Sequence, residues 1–237
     1  MADLDELSPL DRAILDICRR YRLVTPWAVW TKLMAGLTLE AARSRLKRLG
    51  KAGWLKKPAK RDYYLLSGRA VRKLGLHRKA TKPLGYEQRL EAMAVLDFCI
   101  RRGVEKYTYD EFTTKYPSFH RPGLKSSLYY VDDPAGENRV GLILVDTGKS
   151  PERLVRKVKT LLAQRHELTE FSELIHEYRF SVAIVTTCRR KAESIAEEIR
   201  AGLTENVVIH IEISEHLERQ LLMRRTDGPS PARQDGP

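Results

Sequence analysis

Residues 38–66 read TLEAARSRLKRLGKAGWLKKPAKRDYYLL, and the order of signals in this stretch decides the fold of the N-terminal third. Thr38 is placed to cap a helix, because its hydroxyl can accept from a free N–H of the first turn. Leu39, Ala42, Leu46 and Leu49 follow at helical spacing and make one apolar face. Glu40, Arg43, Ser44, Lys47, Arg48 and Lys51 fall elsewhere on the helix. Two short apolar and aromatic runs, residues 53–57 and 62–66, then flank a Pro58-Ala59 turn, which is the pattern of a β-hairpin. The tip of this hairpin carries Lys56, Lys57, Lys60 and Arg61. Such residues add nothing to a core but can reach phosphates or a minor groove. A helix that buries one side and offers Arg and Lys on the other suits a DNA major groove. The stretch predicts the third helix and the wing of a winged helix-turn-helix.

Upstream, the same start signal occurs twice. Ser8-Pro9 opens a helix with Ile14, Leu15, Ile17 and Cys18 on its apolar face, and Thr25-Pro26 opens one with Trp27, Val29, Trp30 and Leu33. Gly36-Leu37 breaks the chain before Thr38. Downstream, Ser67-Gly68 starts a short helix that ends at Gly75. Trp27, Trp30, Trp54, Tyr63 and Tyr64 are read as packing residues and not as stacking platforms for bases.

The charge distribution supports the same reading. Residues 1–80 hold 19 of the 43 Lys and Arg but only 7 of the 31 Asp and Glu, so they contain the whole net charge of +12; the remainder has 24 of each sign. Binding to nucleic acid depends on neutralising phosphates, and such a concentrated excess is its electrostatic footprint. Solubility alone would not require the asymmetry. Double-stranded DNA is therefore the expected partner. Arg43, Ser44, Lys47 and Arg48 are the candidates for groove contact, and Lys51, Lys56, Lys57, Lys60 and Arg61 for phosphate contact.

At 237 residues the chain suits two modest domains. No apolar run reaches the eighteen residues that a membrane span needs, and MADLDELSP is unlike a secretory signal. Cys18, Cys99 and Cys188 are far apart in sequence and form no CxxC pair, which suits free thiols in a reducing cytoplasm.

A winged helix-turn-helix over residues 1–76 and a linker at 77–84 precede a second domain over 85–225, with a disordered tail at 226–237. The second domain opens with a helix at 86–102, apolar nearly all round except at Asp97, which suits burial or a partner subunit. Residues 106–109, 124–131 and 139–146 read as strands, 151–165 and 168–178 as helices, 180–186 as a buried strand and 190–201 as a helix. A strand at 207–213 and a helix at 214–225 close the domain. This order predicts an α+β chain whose second half is an α/β domain with a mixed central sheet covered on both faces.

Little of the chain reads as catalytic machinery. Asp146-Thr147-Gly148-Lys149-Ser150 follows a strand and precedes a helix, but a phosphate loop needs a glycine where Ile143 stands. The six histidines show no HExxH and no zinc spacing, and no cofactor is expected. Asp132, Asp133, Asp146 and Lys149 are the only candidates for a metal-dependent nuclease, in which Asp146 would hold Mg²⁺ and Lys149 would assist.

The whole layout resembles the replication-relaxation proteins of plasmids and mobile elements. The resembling residues are LSPLDRAILDICRRYRLVTPWAVWTKL, ARSRLKRLGKAGWLKK, YYLLSGRAVRKLGL, the Arg121-Pro122-Gly123 run, LILVDTGKSPERLVRKVKTLL and FSVAIVTT. The resemblance implies a winged helix joined to a restriction-endonuclease-like domain. Members of that family often carry Pro-Asp entering the hairpin and Glu-x-Asp ending its next strand. Here those positions read Pro122-Gly123 and Leu144, leaving Asp146 alone, so the implied domain is a catalytically degenerate one. It would then serve as a homodimerisation surface or contact a replication or conjugation protein. The setting implied is replication, transfer or transcriptional control of a mobile element.

Overall fold

A computed structural model describes residues 6–59, 61–119, 128–132, 136, 139–203 and 207–226. Those residues form an α+β chain with ten α-helices, a small antiparallel two-stranded sheet and a mixed four-stranded sheet.

Three capped helices come first. In α1, Pro9–Tyr21, the Ser8 hydroxyl accepts from the Asp11 amide at 3.1 Å. In α2, Pro26–Leu33, and α3, Leu39–Lys51, Thr25 and Thr38 do the same for Ala28 and Ala41. Each start matches the residue type the sequence offers for it. Val24, between α1 and α2, pairs with Tyr64 in an isolated antiparallel bridge. The hairpin strands β1, Leu55–Lys56, and β2, Leu65–Leu66, are shorter than the two five-residue runs anticipated. Helix α4, Gly68–Lys73, follows and is capped by Ser67. Trp54 is fully buried beneath the hairpin, with the Arg69 guanidinium 4.5 Å from its ring centroid.

Residues 77–84 do more than link. Arg78–Thr81 form a turn of 3-10 helix. The Lys56 Nζ donates to the Thr81 carbonyl at 2.6 Å, and Arg22 Nη2 donates to that of Lys79 at 3.1 Å. Leu84 is buried.

Helix α5, Tyr86–Arg102, explains its own sequence. It buries residues all round because α1 and α2 cover one side while the sheet and the last helix cover the other. A single hydrophobic core therefore runs from Ile14 and Val29, through Leu90 and Phe98, to Ile143 and Val185 of the sheet. The N-terminal helices and the C-terminal half share this core. Residues 106–109, expected as a strand, instead lead into the short helix α6, Tyr109–Lys115, which Thr108 caps. Only Lys106 pairs with β structure, as an isolated bridge to Tyr130.

The large sheet has the order β3-β4-β5-β6, comprising Tyr129–Asp132, Arg139–Val145, Phe180–Thr186 and Val208–Ile213. The first pair is antiparallel and the other two are parallel. Parallel neighbours need crossovers. These are α7, Pro151–His166, with α8, Thr169–His176, and then α9, Arg189–Gly202. Helix α10, Glu215–Thr226, returns against α5. Alternation along the strands splits the core: Ile143, Val145, Ala183 and Val185 face α5, whereas Leu142, Leu144, Val182 and Ile184 pack with the residues of α7, α8 and α9.

Gly141 has a specific role in this sheet. A Cβ there would sit within the ring of Tyr130, which lies across β4 from β3. The absent side chain lets the Tyr130 hydroxyl reach Ser181 Oγ on β5 at 3.2 Å, and Ser181 in turn donates to Asp132 Oδ2.

Candidate nucleic-acid interface

The basic face of α3 follows directly from its buried one. Ala42, Leu46 and Leu49 are buried, so Arg43, Ser44, Lys47, Arg48 and Lys51 are turned outward, and all five are exposed. Arg43 makes only an exposed contact with Glu40 at 3.4 Å. Among the described residues, the side chains of Ser44, Lys47 and Lys51 have no hydrogen-bond or ion-pair partner. Lys47 and Lys51 thus carry charges that no described side chain neutralises.

Arg45 sits on the same helix but was not singled out in the sequence, and it does something different. Its Nε donates to Asp11 Oδ1 at 2.6 Å and its Nη2 to Asp11 Oδ2 at 2.8 Å. Asp11 is buried on α1, so this fork pins α3 to α1. Arg48 reaches the same carboxylate only at 3.7 Å and stays 60% exposed. No local spacing in the sequence points from Arg45 to a carboxylate 34 residues away.

The hairpin tip is arranged less freely than its sequence suggests. Lys56 is tied to the Thr81 carbonyl, and Lys57 approaches Asp62 at 3.9 Å and the Tyr64 ring at 5.7 Å. Arg61 is exposed with no side-chain partner among the described residues. Lys60 lies outside the described residues, as do the Arg121-Pro122-Gly123 run and Asp133.

The carboxylate considered for metal binding is enclosed. Asp146 is 0% exposed, directly after β4. Its Oδ1 accepts from the Gly148 and Lys149 amides at 3.0 and 3.2 Å. Its Oδ2 accepts from Thr186 Oγ1 at 2.8 Å and faces the Lys191 Nζ at 2.6 Å. Both oxygens thus close a turn and tie β4 to β5 and α9. Asp132, at the end of β3, is 2% exposed and held below the usual carboxylate range. Burial opposes that lowering, but the His210 and Ser181 contacts outweigh it. Among the described residues no three His, Cys, Asp or Glu side chains gather as metal ligands would. Cys18 and Cys99 are buried thiols, both pushed up to about 12 by that burial, which makes them poor nucleophiles.

No described helix is long and apolar enough to cross a membrane. Comparison with known proteins returns no match, whether to family models, curated proteins or solved structures.

Proposed function

We propose that this protein binds double-stranded DNA through α3 and the following hairpin, in the manner of a winged helix-turn-helix. The observation that carries the reading is the outer face of α3: five exposed polar or basic residues on a helix whose inner face is anchored in the core and forked to Asp11. In this reading Arg43, Ser44, Lys47 and Arg48 face base edges, while Lys51, Lys56, Lys57, Lys60 and Arg61 hold phosphates. The order helix, bridge, helix, helix, hairpin supports it.

The C-terminal half would act as a degenerate restriction-endonuclease-like platform. It would pair with a second copy or contact a replication or conjugation protein, in the cytoplasm and in the service of a mobile element, as its likeness to replication-relaxation proteins suggests. The cleavage alternative draws less support, because both oxygens of Asp146 are engaged by protein groups.

Fluorescence anisotropy with duplexes from the neighbouring genome tests this reading across a salt series. Log affinity should fall linearly with log salt, with a slope of about −0.9 per phosphate neutralised. Replacing Lys56, Lys57, Lys60 and Arg61 by Ala should weaken binding to every sequence and flatten that slope. Replacing Arg43 or Lys47 should erode preference among sequences instead. An unchanged slope in the hairpin variant removes the wing from the interface.

A further inference from the structure

A cleft of about 630 Å³ opens at the carboxyl end of β4, between α5 and α7. Its volume falls within the range of small-molecule sites. One wall is basic: Lys149 precedes α7, and Arg153 and Arg156 lie a turn apart on it. All three are exposed and none has a side-chain partner among the described residues. The facing wall, from α5, contributes Glu87 and Glu91. Neither acid forms an ion pair with those cations among the described residues, so the two signs face each other across open space.

We propose that this cleft binds a nucleotide-sized phosphorylated ligand, with its phosphates on Lys149, Arg153 and Arg156 and its hydroxyl or amino groups on Glu87 and Glu91. The basic wall supplies charge-assisted donors of the kind phosphate oxygens accept. Carboxylates only accept, so the opposite wall suits the donors of a ribose or an amino-bearing base. That acidic wall also disfavours a continuous nucleic-acid backbone, which carries a charge at every step. The grip is by side chains alone, because the Gly148 and Lys149 amides already serve Asp146. Hydrolysis is no part of this site. The inference does not depend on DNA binding by α3.

Isothermal titration calorimetry on the full chain tests it, with ATP, AMP, adenosine, inorganic tripolyphosphate and a short single-stranded oligonucleotide as probes. Expected is saturable binding of ATP, weaker binding of AMP, none of adenosine, and tripolyphosphate weaker than ATP by about tenfold or more. The Arg153→Ala/Arg156→Ala variant should lose about tenfold or more in ATP affinity, while its melting temperature without ligand stays that of the parent. Glu87→Gln/Glu91→Gln should bring ATP down towards tripolyphosphate. The proposal is overturned by any of four results: no ATP binding, tripolyphosphate equal to ATP (an adventitious anion only), ATP binding that survives the double Arg variant, or an oligonucleotide that takes the same residues more tightly than ATP.

Discussion

Replacing Arg45 by Ala tests whether this residue positions α3 or, in the proposed binding mode, touches DNA itself. The fork to Asp11 joins a buried carboxylate to a side chain that is 21% exposed. Removing one partner of a fully buried pair costs about 3–5 kcal/mol. Here Arg45 is partly solvated, Ser8 Oγ also donates to Asp11, and Arg48 stands 3.7 Å away to relieve the stranded charge. The expected loss is therefore about 2 kcal/mol, nearer the lower figure for partly exposed pairs. Urea unfolding gives the number, and Asp11→Ala should cost a similar amount. The double variant should fall short of the sum by ~1–2 kcal/mol, since the two changes break the same contact. In DNA titrations under folding conditions, Arg45→Ala should leave the salt slope intact, whereas Lys51→Ala should flatten it by about 0.9. A slope lowered by Arg45→Ala with stability unchanged would falsify the positioning role and put Arg45 on a phosphate.

Three further outcomes are expected. Gly141→Ala should cost ~2 kcal/mol in urea unfolding by driving a methyl into the Tyr130 ring, and should cost far less in a Tyr130→Leu background; equal costs in both backgrounds would refute the clash. Burial lowers Lys106 from 10.5 to about 8, so between those pH values the unfolded chain holds a proton the folded chain has released, and this group adds stability as pH rises through the window. Cys18 and Cys99, with raised values, act oppositely above pH 9. Lys106→Met should accordingly be more stable than the parent by ~1–3 kcal/mol at pH 7, with the gap closing by pH 10.5; a gap that does not vary with pH defeats the argument. Finally, Asp146→Ala should destabilise by about 3 kcal/mol, because it strands Lys191 and frees the turn amides, and should leave DNA affinity unchanged in the folded protein; Mg²⁺-dependent cleavage present in the parent and lost in this variant would restore the nuclease reading.

Much of the fold was legible because its helix signals are local. Ser8-Pro9, Thr25-Pro26, Thr38 and Ser150-Pro151 each stand where a helix begins, and the run FSVAIVT is β5 from end to end. Helix α6 opens with a reciprocal capping box of Thr108 and Glu111, a local helix signal that the β-rich Tyr107 and Tyr109 mask in the sequence. The hairpin strands proved short because only Leu55 and Lys56 pair with β2, while Tyr64 is drawn away to Val24. The outward face of α3 could be read from spacing alone. What could not be read was non-local: that Arg45 faces inward to Asp11, that Gly141 makes room for Tyr130, and that Asp146 is closed off by Lys191 from another helix. The cleft beside α7 was hidden for the same reason, since its two walls lie some sixty residues apart in the chain.

The shared core around α5 sets where this chain can be divided. A fragment ending near residue 76, where a linker was anticipated, would strip α1 and α2 of the apolar side that Leu90, Val95 and Phe98 help to cover. The smallest self-sufficient piece carrying α3 would have to extend through Arg102, and even that would bare the opposite side of α5. The chain is in this sense one body: Ala42, Leu46 and Leu49 seat α3 in the same core as Ile143 and Val185 of the sheet, with no tether between them.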